Sequence, residues 1–360
     1  IDASYWRSRD SYGGPSVGTE DYFRNSRVAE PMSMDYDALG LKIAYDLGGA
    51  TFTNSTGYLT LTNDGIFDYA GGTANTTLTS QFRTKIFSNE ATIGSNGAGS
   101  LSWNVGGSYR SARDRLVQAT DPNFYNYTGL DTSDAFAVFG EATQEIGQLR
   151  VTGGLRYFHD HVSAHADVPV AAPVKANFSA VTPRAVLSWL PTDRTNLYLS
   201  YSQGFRSGAI QFQGLVPAGY PTLKPDRLRN YEAGLKTGLF DNRVQLETSV
   251  YYIDWQDVQQ SLKVPYQEAI VTALINGSSA SGLGVDAKVS ARLTPALTLT
   301  VAGNWNDLTF DSPVSTQGVT LFRKGDRLNR SPEATINGSV DYAFSIAGHE
   351  ANLSGSLNYT

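Results

Sequence analysis

Leu149-Arg150-Val151-Thr152-Gly153-Gly154-Leu155-Arg156-Tyr157 alternates apolar and polar residues without a break. In an extended strand Leu149, Val151, Gly153, Leu155 and Tyr157 fall on one face, and Arg150, Thr152, Gly154 and Arg156 on the other. A helix would scatter both sets around its axis. The same split recurs at Leu197, Leu199, Tyr201 against Asn196, Tyr198, Ser200, and at Val244, Leu246, Val250, Tyr252 against Gln245, Glu247, Ser249. Near the end Leu297, Leu299, Val301 oppose Thr298, Thr300, Asn304, and Leu353, Leu357, Tyr359 oppose Asn352, Ser354, Ser356, Asn358. About fifteen strands of this kind can be marked along the chain, and no convincing amphipathic helix.

The connections alternate in length. Short turns fall near Gly48-Gly49, Ser95 to Gly99, Gly147-Gln148, Pro191 to Thr195, Asp241-Asn242, Thr294-Pro295 and Ala347-Gly348. Long connections are expected at 10–36, 64–78, 111–131, 160–177, 204–228, 259–280 and 311–332. Short turns at one end, long loops at the other and strands of about ten residues describe an antiparallel transmembrane β-barrel. The apolar face is light, including Gly153, Ala233, Ala287, Ala291, Gly338 and Gly355, and would fill a sandwich core poorly. Tyr157, Trp189, Tyr201, Tyr252 and Tyr359 sit at or near its strand ends, where an aromatic girdle meets lipid headgroups. The polar face carries Arg150, Arg156, Arg184, Glu232, Lys236, Glu247, Asp286 and Lys288, which belong in a wet lumen rather than a dry core. An odd strand count leaves a costly open edge, so the 360 residues are expected to be a piece of a larger barrel.

Composition agrees. Charged residues make up 17% of the chain, below a soluble domain's usual share, with 35 Gly, 20 Tyr and 16 Phe. A net charge of -6 argues against a nucleic-acid partner. The absence of Cys excludes disulfides, thiolate metal sites and a Cys nucleophile. No run is apolar enough for a membrane helix, the most apolar stretch, 168–174, being broken by Pro169 and Pro173.

These segments resemble the barrel of TonB-dependent outer-membrane receptors of the kind that import ferric siderophores. The resemblance runs from Ala137-Val138-Phe139-Gly140-Glu141 through Leu149–Tyr157, Tyr201 to Gly208, Leu223-Lys224-Pro225-Asp226, Tyr231 to Lys236, Tyr251 to Gln259 and Asn276 to Asp286. It rests on order and spacing more than on any one piece. It implies a partial barrel over residues 1–360, about fifteen strands of a roughly 22-stranded whole. The plug domain, signal peptide, energy-coupling segment and closing strands are expected to lie outside these residues. It further implies a Gram-negative outer-membrane location, contact with outer-membrane lipid, and a TonB energy-coupling partner acting through that plug. The transported ligand would be a small-molecule chelate such as one of Fe(III), with no cofactor and no enzymatic chemistry.

Capture of a bulky chelate calls for aromatic rings with cations beside them. The long-loop set offers Tyr125, Phe205, Phe212, Tyr220 and Tyr266, with Tyr12, Phe124 and Tyr127 as further rings, and Arg113, Arg115 and Arg206 for charge. For each the plainer role is packing between loops. Arg206 and Phe205 are placed at the rim by the flanking Gly204 and Gly208.

Other chemistries are weaker. His159 and His161 share a strand face and are candidate ligands for a zinc- or copper-type ion, or simply a polar loop. Gly14-Pro15-Ser16-Val17-Gly18 spells a hydrolase pattern without its strand and helix. Asp64, Asp68, Asp131 and Asp134 do not match a calcium loop, and the sequons at Asn54, Asn75 and Asn126 matter only in a eukaryotic secretory context. A passive porin, a soluble glycan-binding β-protein and an outer-membrane hydrolase stand as alternatives, the last lacking a Ser–His pair.

Overall fold

The computed structural model describes residues 1–13, 28–68, 76–97, 99–123, 125–211, 216, 220, 222–266, 269–316, 319–329 and 331–360. The first eleven strands follow as a meander: β1 (Asp2–Gly13), β2 (Pro31–Asp46), β3 (Ala50–Asp68), β4 (Thr77–Ser95), β5 (Leu101–Asp121), β6 (Asn126–Ile146), β7 (Leu149–Val168), β8 (Ala171–Thr192), β9 (Thr195–Arg206), β10 (Asp226–Leu239) and β11 (Val244–Gln256). A side hairpin of β12 (Gln259–Tyr266) and β13 (Ala269–Asn276) interrupts it before β14 (Ala280–Arg292) and β15 (Leu297–Asn306). Next come β16 (Thr309–Phe310), which adds to β14, and the small hairpin β17 (Val314–Thr316) and β18 (Val319–Phe322). β19 (Ala334–Ile346) and β20 (His349–Tyr359) complete one antiparallel sheet of 16 strands. Among the described residues β1 pairs only with β2 and β20 only with β19, so the sheet is an open barrel wall.

All seven short turns stand where the sequence places them. Ala347 and Gly348 join β19 to β20 with φ of 51° and 80°, the double positive φ that matches a two-residue hairpin to the twist of its strands. The strands are longer than expected. β15 has 10 residues and β8 has 22, although a tilted strand crosses hydrocarbon in about 9–11. The expected long loop 111–131 is mostly strand, with only 122–125 between β5 and β6, and that at 160–177 shrinks to two residues between β7 and β8. Beyond the hydrocarbon both faces are wet, so side chains stop alternating while the backbone ladder continues.

The polar face is the covered one. Along β7 Leu149, Val151, Leu155 and Tyr157 are exposed while Arg150, Thr152, Gly154 and Arg156 are half-buried, and Leu155 reaches 56% exposure. Ser249 of β11, Ser188 of β8 and Ala135 and Ala137 of β6 are buried on the inner face. This inside-out pattern excludes a sandwich, whose apolar faces would be hidden. On the outside, Tyr201 lies against Tyr231 with centroids 5.1 Å apart and Phe136 against Tyr157 at 6.1 Å, a ring of aromatics towards the long-loop end.

The long-loop end carries its own apolar core. Val258, Leu262, Val264, Ala273, Ile275, Ala280, Leu308, Phe310, Val314 and Leu328 are buried together, with Phe310 stacked on Phe322 at 4.8 Å. Two side hairpins and β16 thereby fold into a roof over the last third of the wall.

Candidate ligand-binding site

The roof is tied to the wall at one carboxylate. Arg206 ends β9 and Asp226 begins β10, directly opposite in register. The Asp226 side chain is 1% exposed. It accepts from Arg206 Nε at 2.7 Å, from the Arg206 backbone N–H at 3.0 Å and from the Gln259 N–H at 3.2 Å, and it is ion-paired with the Arg206 terminal nitrogen. The guanidinium also donates to the Gln259 carbonyl at 3.1 Å and lies over the Trp255 ring, 4.9 Å from its centroid. Gln259 in turn donates to the carbonyls of Ser207 and Lys224, and Asn276 brackets Lys224 by accepting from its N–H at 2.8 Å and donating to its carbonyl at 2.9 Å.

Beside this knot opens a cleft of about 740 Å³ lined by Arg206, Trp255, Gln259, Leu308, Leu328 and Asn329, among others. It has the size of a small-molecule site. The Trp255 indole N–H is buried and has no hydrogen-bond partner among the described residues.

After β9 the chain turns onto the inner face of the β7–β8 hairpin. Phe205 packs on Phe158 with centroids 4.9 Å apart, and Ser207 donates to the buried Asp160 carboxylate at 3.0 Å, which also accepts from Ser133 at 2.8 Å. Gly208 is required here because a Cβ would collide with the Phe178 ring and the Leu223 carbonyl. Below lies a second hollow of about 490 Å³, lined among others by Glu90, Arg110, Arg156 and Phe158. Arg156 lies over Phe139 at 5.3 Å, and Arg110 donates to Ser133 at 2.9 Å; neither meets a carboxylate among the described residues. Arg110 was not among the expected residues, although its place in the alternation of β5 puts it on the inner face.

The structure distributes the expected residues unevenly. Phe205 and Arg206 meet at the foot of the roof, and Tyr220 packs against the roof core. Tyr125 folds back on its own hairpin, its hydroxyl 3.2 Å from Gln118. Arg113 and Arg115 are not loop residues: β5 carries them on its outward face, in line with the exposed Val105 and Tyr109. Tyr12 is in β1. Phe124, Phe212 and the Gly14–Gly18 pattern lie outside the described residues, as does the side chain of Tyr266, whose backbone ends β12. His159 and His161 are on the outward face of β7, bonded to Ser179 at 2.9 Å and Asn177 at 2.8 Å. Among the described residues no group of three His, Asp or Glu is arranged for a metal.

At the top of β6, burial with Asp114 directly opposite pushes the Asp131 carboxyl up to about 6, and burial beside Asp131 pushes the Tyr127 phenol up to about 12.

An inside-out meander of fifteen strands with a folded roof at one end is matched by known proteins. Residues 2–360 fit the family described as TonB-dependent receptor-like, β-barrel. The chain belongs to this family of outer-membrane barrels. Its short turns are therefore periplasmic and its long-loop end extracellular, it sits in the outer membrane of Gram-negative bacteria, and its family consists of transporters, not enzymes. The ferric yersiniabactin uptake receptor FyuA of Yersinia pestis superposes with a TM-score of 0.81 at 17% identity, over 99% of this chain and 56% of the other. BauA, the ferric preacinetobactin receptor of Acinetobacter baumannii, gives 0.72 at 15% identity over 99% and 58%. The copper transporter OprC gives 0.67 at 13% over 95% and 59%. The chain thus spans a little over half the length of these receptors. No curated protein sequence matches it.

Proposed function

We propose that this chain forms the wall and much of the capture surface of a ligand-gated importer that takes up a ferric siderophore with energy from the TonB system. In this reading the closing strands and a plug domain belong to the whole protein, and the plug moves to open a path while this wall stays rigid. The observation that carries it is the 740 Å³ cleft under the roof, where the half-exposed Arg206 guanidinium beside Asp226, the Trp255 ring and Gln259 offer charged, aromatic and polar contacts together. Such a set suits an anionic, partly aromatic chelate. Arg110 and Arg156, which pair with no carboxylate among the described residues, supply the next positive contacts along the way. The structural neighbours, two ferric-chelate receptors and a copper transporter, support a metal cargo.

The test is uptake of radiolabelled ferric chelates by cells carrying the full-length protein, with and without TonB. Saturable uptake that stops when TonB is deleted is expected. Uptake that rises linearly with concentration and ignores TonB would instead make this a passive channel.

A further inference from the structure

On the outward face of β4 and β5 four cations stand in two directly opposed pairs: Lys85 faces Arg113 and Arg83 faces Arg115. Like charges opposite each other across a ladder are destabilising, so the fold alone gives no reason for this arrangement. Arg83 is relieved by Asp64, whose carboxylate it contacts with both terminal nitrogens at 2.5 and 3.1 Å. Lys85, Arg113 and Arg115 are exposed and meet no carboxylate among the described residues. Asp114, next in sequence, points to the inner face and accepts from Thr84. At the neighbouring edge of the sheet the outward cations are matched, Arg9 pairing with Asp35 and Asp37 and Arg7 with Asp37. Other exposed outward cations that meet no carboxylate among the described residues, Lys175 and Arg227, stand opposite uncharged residues, whereas on β4–β5 cation faces cation.

The height of these facing cations is informative. Phe87 and Tyr109, 38% and 45% exposed on the same outward face, belong to the aromatic ring, with centroids 6.4 Å apart. Lys85 is two residues beyond Phe87 towards the extracellular end, which is about 7 Å along a strand. The headgroup layer outside the hydrocarbon is itself only about 5–8 Å deep. Lys85 and Arg113, level with each other, therefore stand at headgroup depth, and Arg115 stands about 7 Å further out, all three pointing away from the barrel.

We propose that Lys85, Arg113 and Arg115 form a binding site for the phosphate groups of outer-leaflet lipid, with a phosphate seated between the opposed cations and accepting from both strands. Guanidinium groups offer paired N–H donors to phosphate oxygens, and Lys85 adds a point charge. A lipid so held cancels the cross-strand repulsion and ties the β4–β5 hairpin to the membrane surface.

The test uses the full-length protein in detergent micelles and measures binding of bis-phosphorylated lipid A, its dephosphorylated form, and inorganic phosphate. The triple variant Lys85→Gln, Arg113→Gln, Arg115→Gln should lose affinity for the phosphorylated lipid by about fivefold per charge removed, on the order of a hundredfold in all. Arg323→Gln with Lys324→Gln, exposed in a loop, should change nothing. Heat-modifiable migration on a gel establishes that each barrel is folded, and Arg113→Lys with Arg115→Lys should keep most of the affinity. Unchanged binding by the triple variant overturns the proposal. So does equal binding of the dephosphorylated lipid, saturation by inorganic phosphate without lipid, or a Lys variant as weak as the Gln one.

Discussion

Arg206 and Asp226 close the mouth of the β9–β10 connection across one rung of the sheet, the carboxylate taking donors from the Arg206 side chain, the Arg206 backbone and the Gln259 backbone. Three segments of different sequence distance thus share one buried anion.

Replacing Asp226 with Ala leaves the Gln259 and Arg206 N–H groups without an acceptor and releases the guanidinium from the wall. The pair is half exposed on the Arg206 side, so the cost should fall below the 3–5 kcal/mol of a fully buried pair, at about 2 kcal/mol. The loss should be local: faster hydrogen exchange in 222–230 and 257–262, with the exchange of β3–β7 unchanged.

Phe310 is 1% exposed at the centre of the roof core. Phe310→Ala should loosen that roof by about 3–5 kcal/mol. Limited proteolysis should then cut 257–279 and 307–333 while the barrel band on a gel remains intact. Cleavage at the wild-type rate would show that the roof does not depend on this core.

Leu155 points outward within the apolar belt and Thr152 points inward. Leu155→Arg should cost about 2–4 kcal/mol in denaturant-induced unfolding from vesicles, whereas Thr152→Arg, entering a wet lumen, should cost under 1 kcal/mol. Equal costs would contradict the assignment of faces.

Asp131 has a folded pKa of about 6 against an ordinary 3.8, raised first by burial and then by Asp114. The folded state therefore binds the proton more tightly than the unfolded one. Stability should fall as pH rises from about 4 to about 6, by at most a few kcal/mol, and level off above. Asp131→Asn should flatten that slope and stabilise the protein at pH 7. A slope of the opposite sign, or one that survives the substitution, would assign the titration to another group.

Much of the wall was legible in residues such as Leu149 to Tyr157. Hydrocarbon on one side and water on the other demand strict alternation, and each short turn carries its own Gly, Asn or Pro. The upper strands were not legible. In Ser111 to Asp121 both faces are wet, composition reads as loop, and only the register with β4 and β6 keeps the chain extended. Arg113 and Arg115 passed for capture residues for that reason, although counting by twos from Tyr109 already places both outside. The position of Phe205 and Arg206 at the end of β9 was legible from the glycines around them, while Arg110 looked like one more polar strand residue.

The sequence by itself determined the class of architecture, the order of its turns and its membrane-facing stripe, because a period of two is a local property that survives without knowledge of any partner. Only the tertiary structure decided which cations meet a carboxylate and which stand unmatched, and which loops join into a roof. Those outcomes depend on register between segments twenty to sixty residues apart, as with Lys85 against Arg113 and Arg206 against Gln259, and no local pattern encodes that pairing.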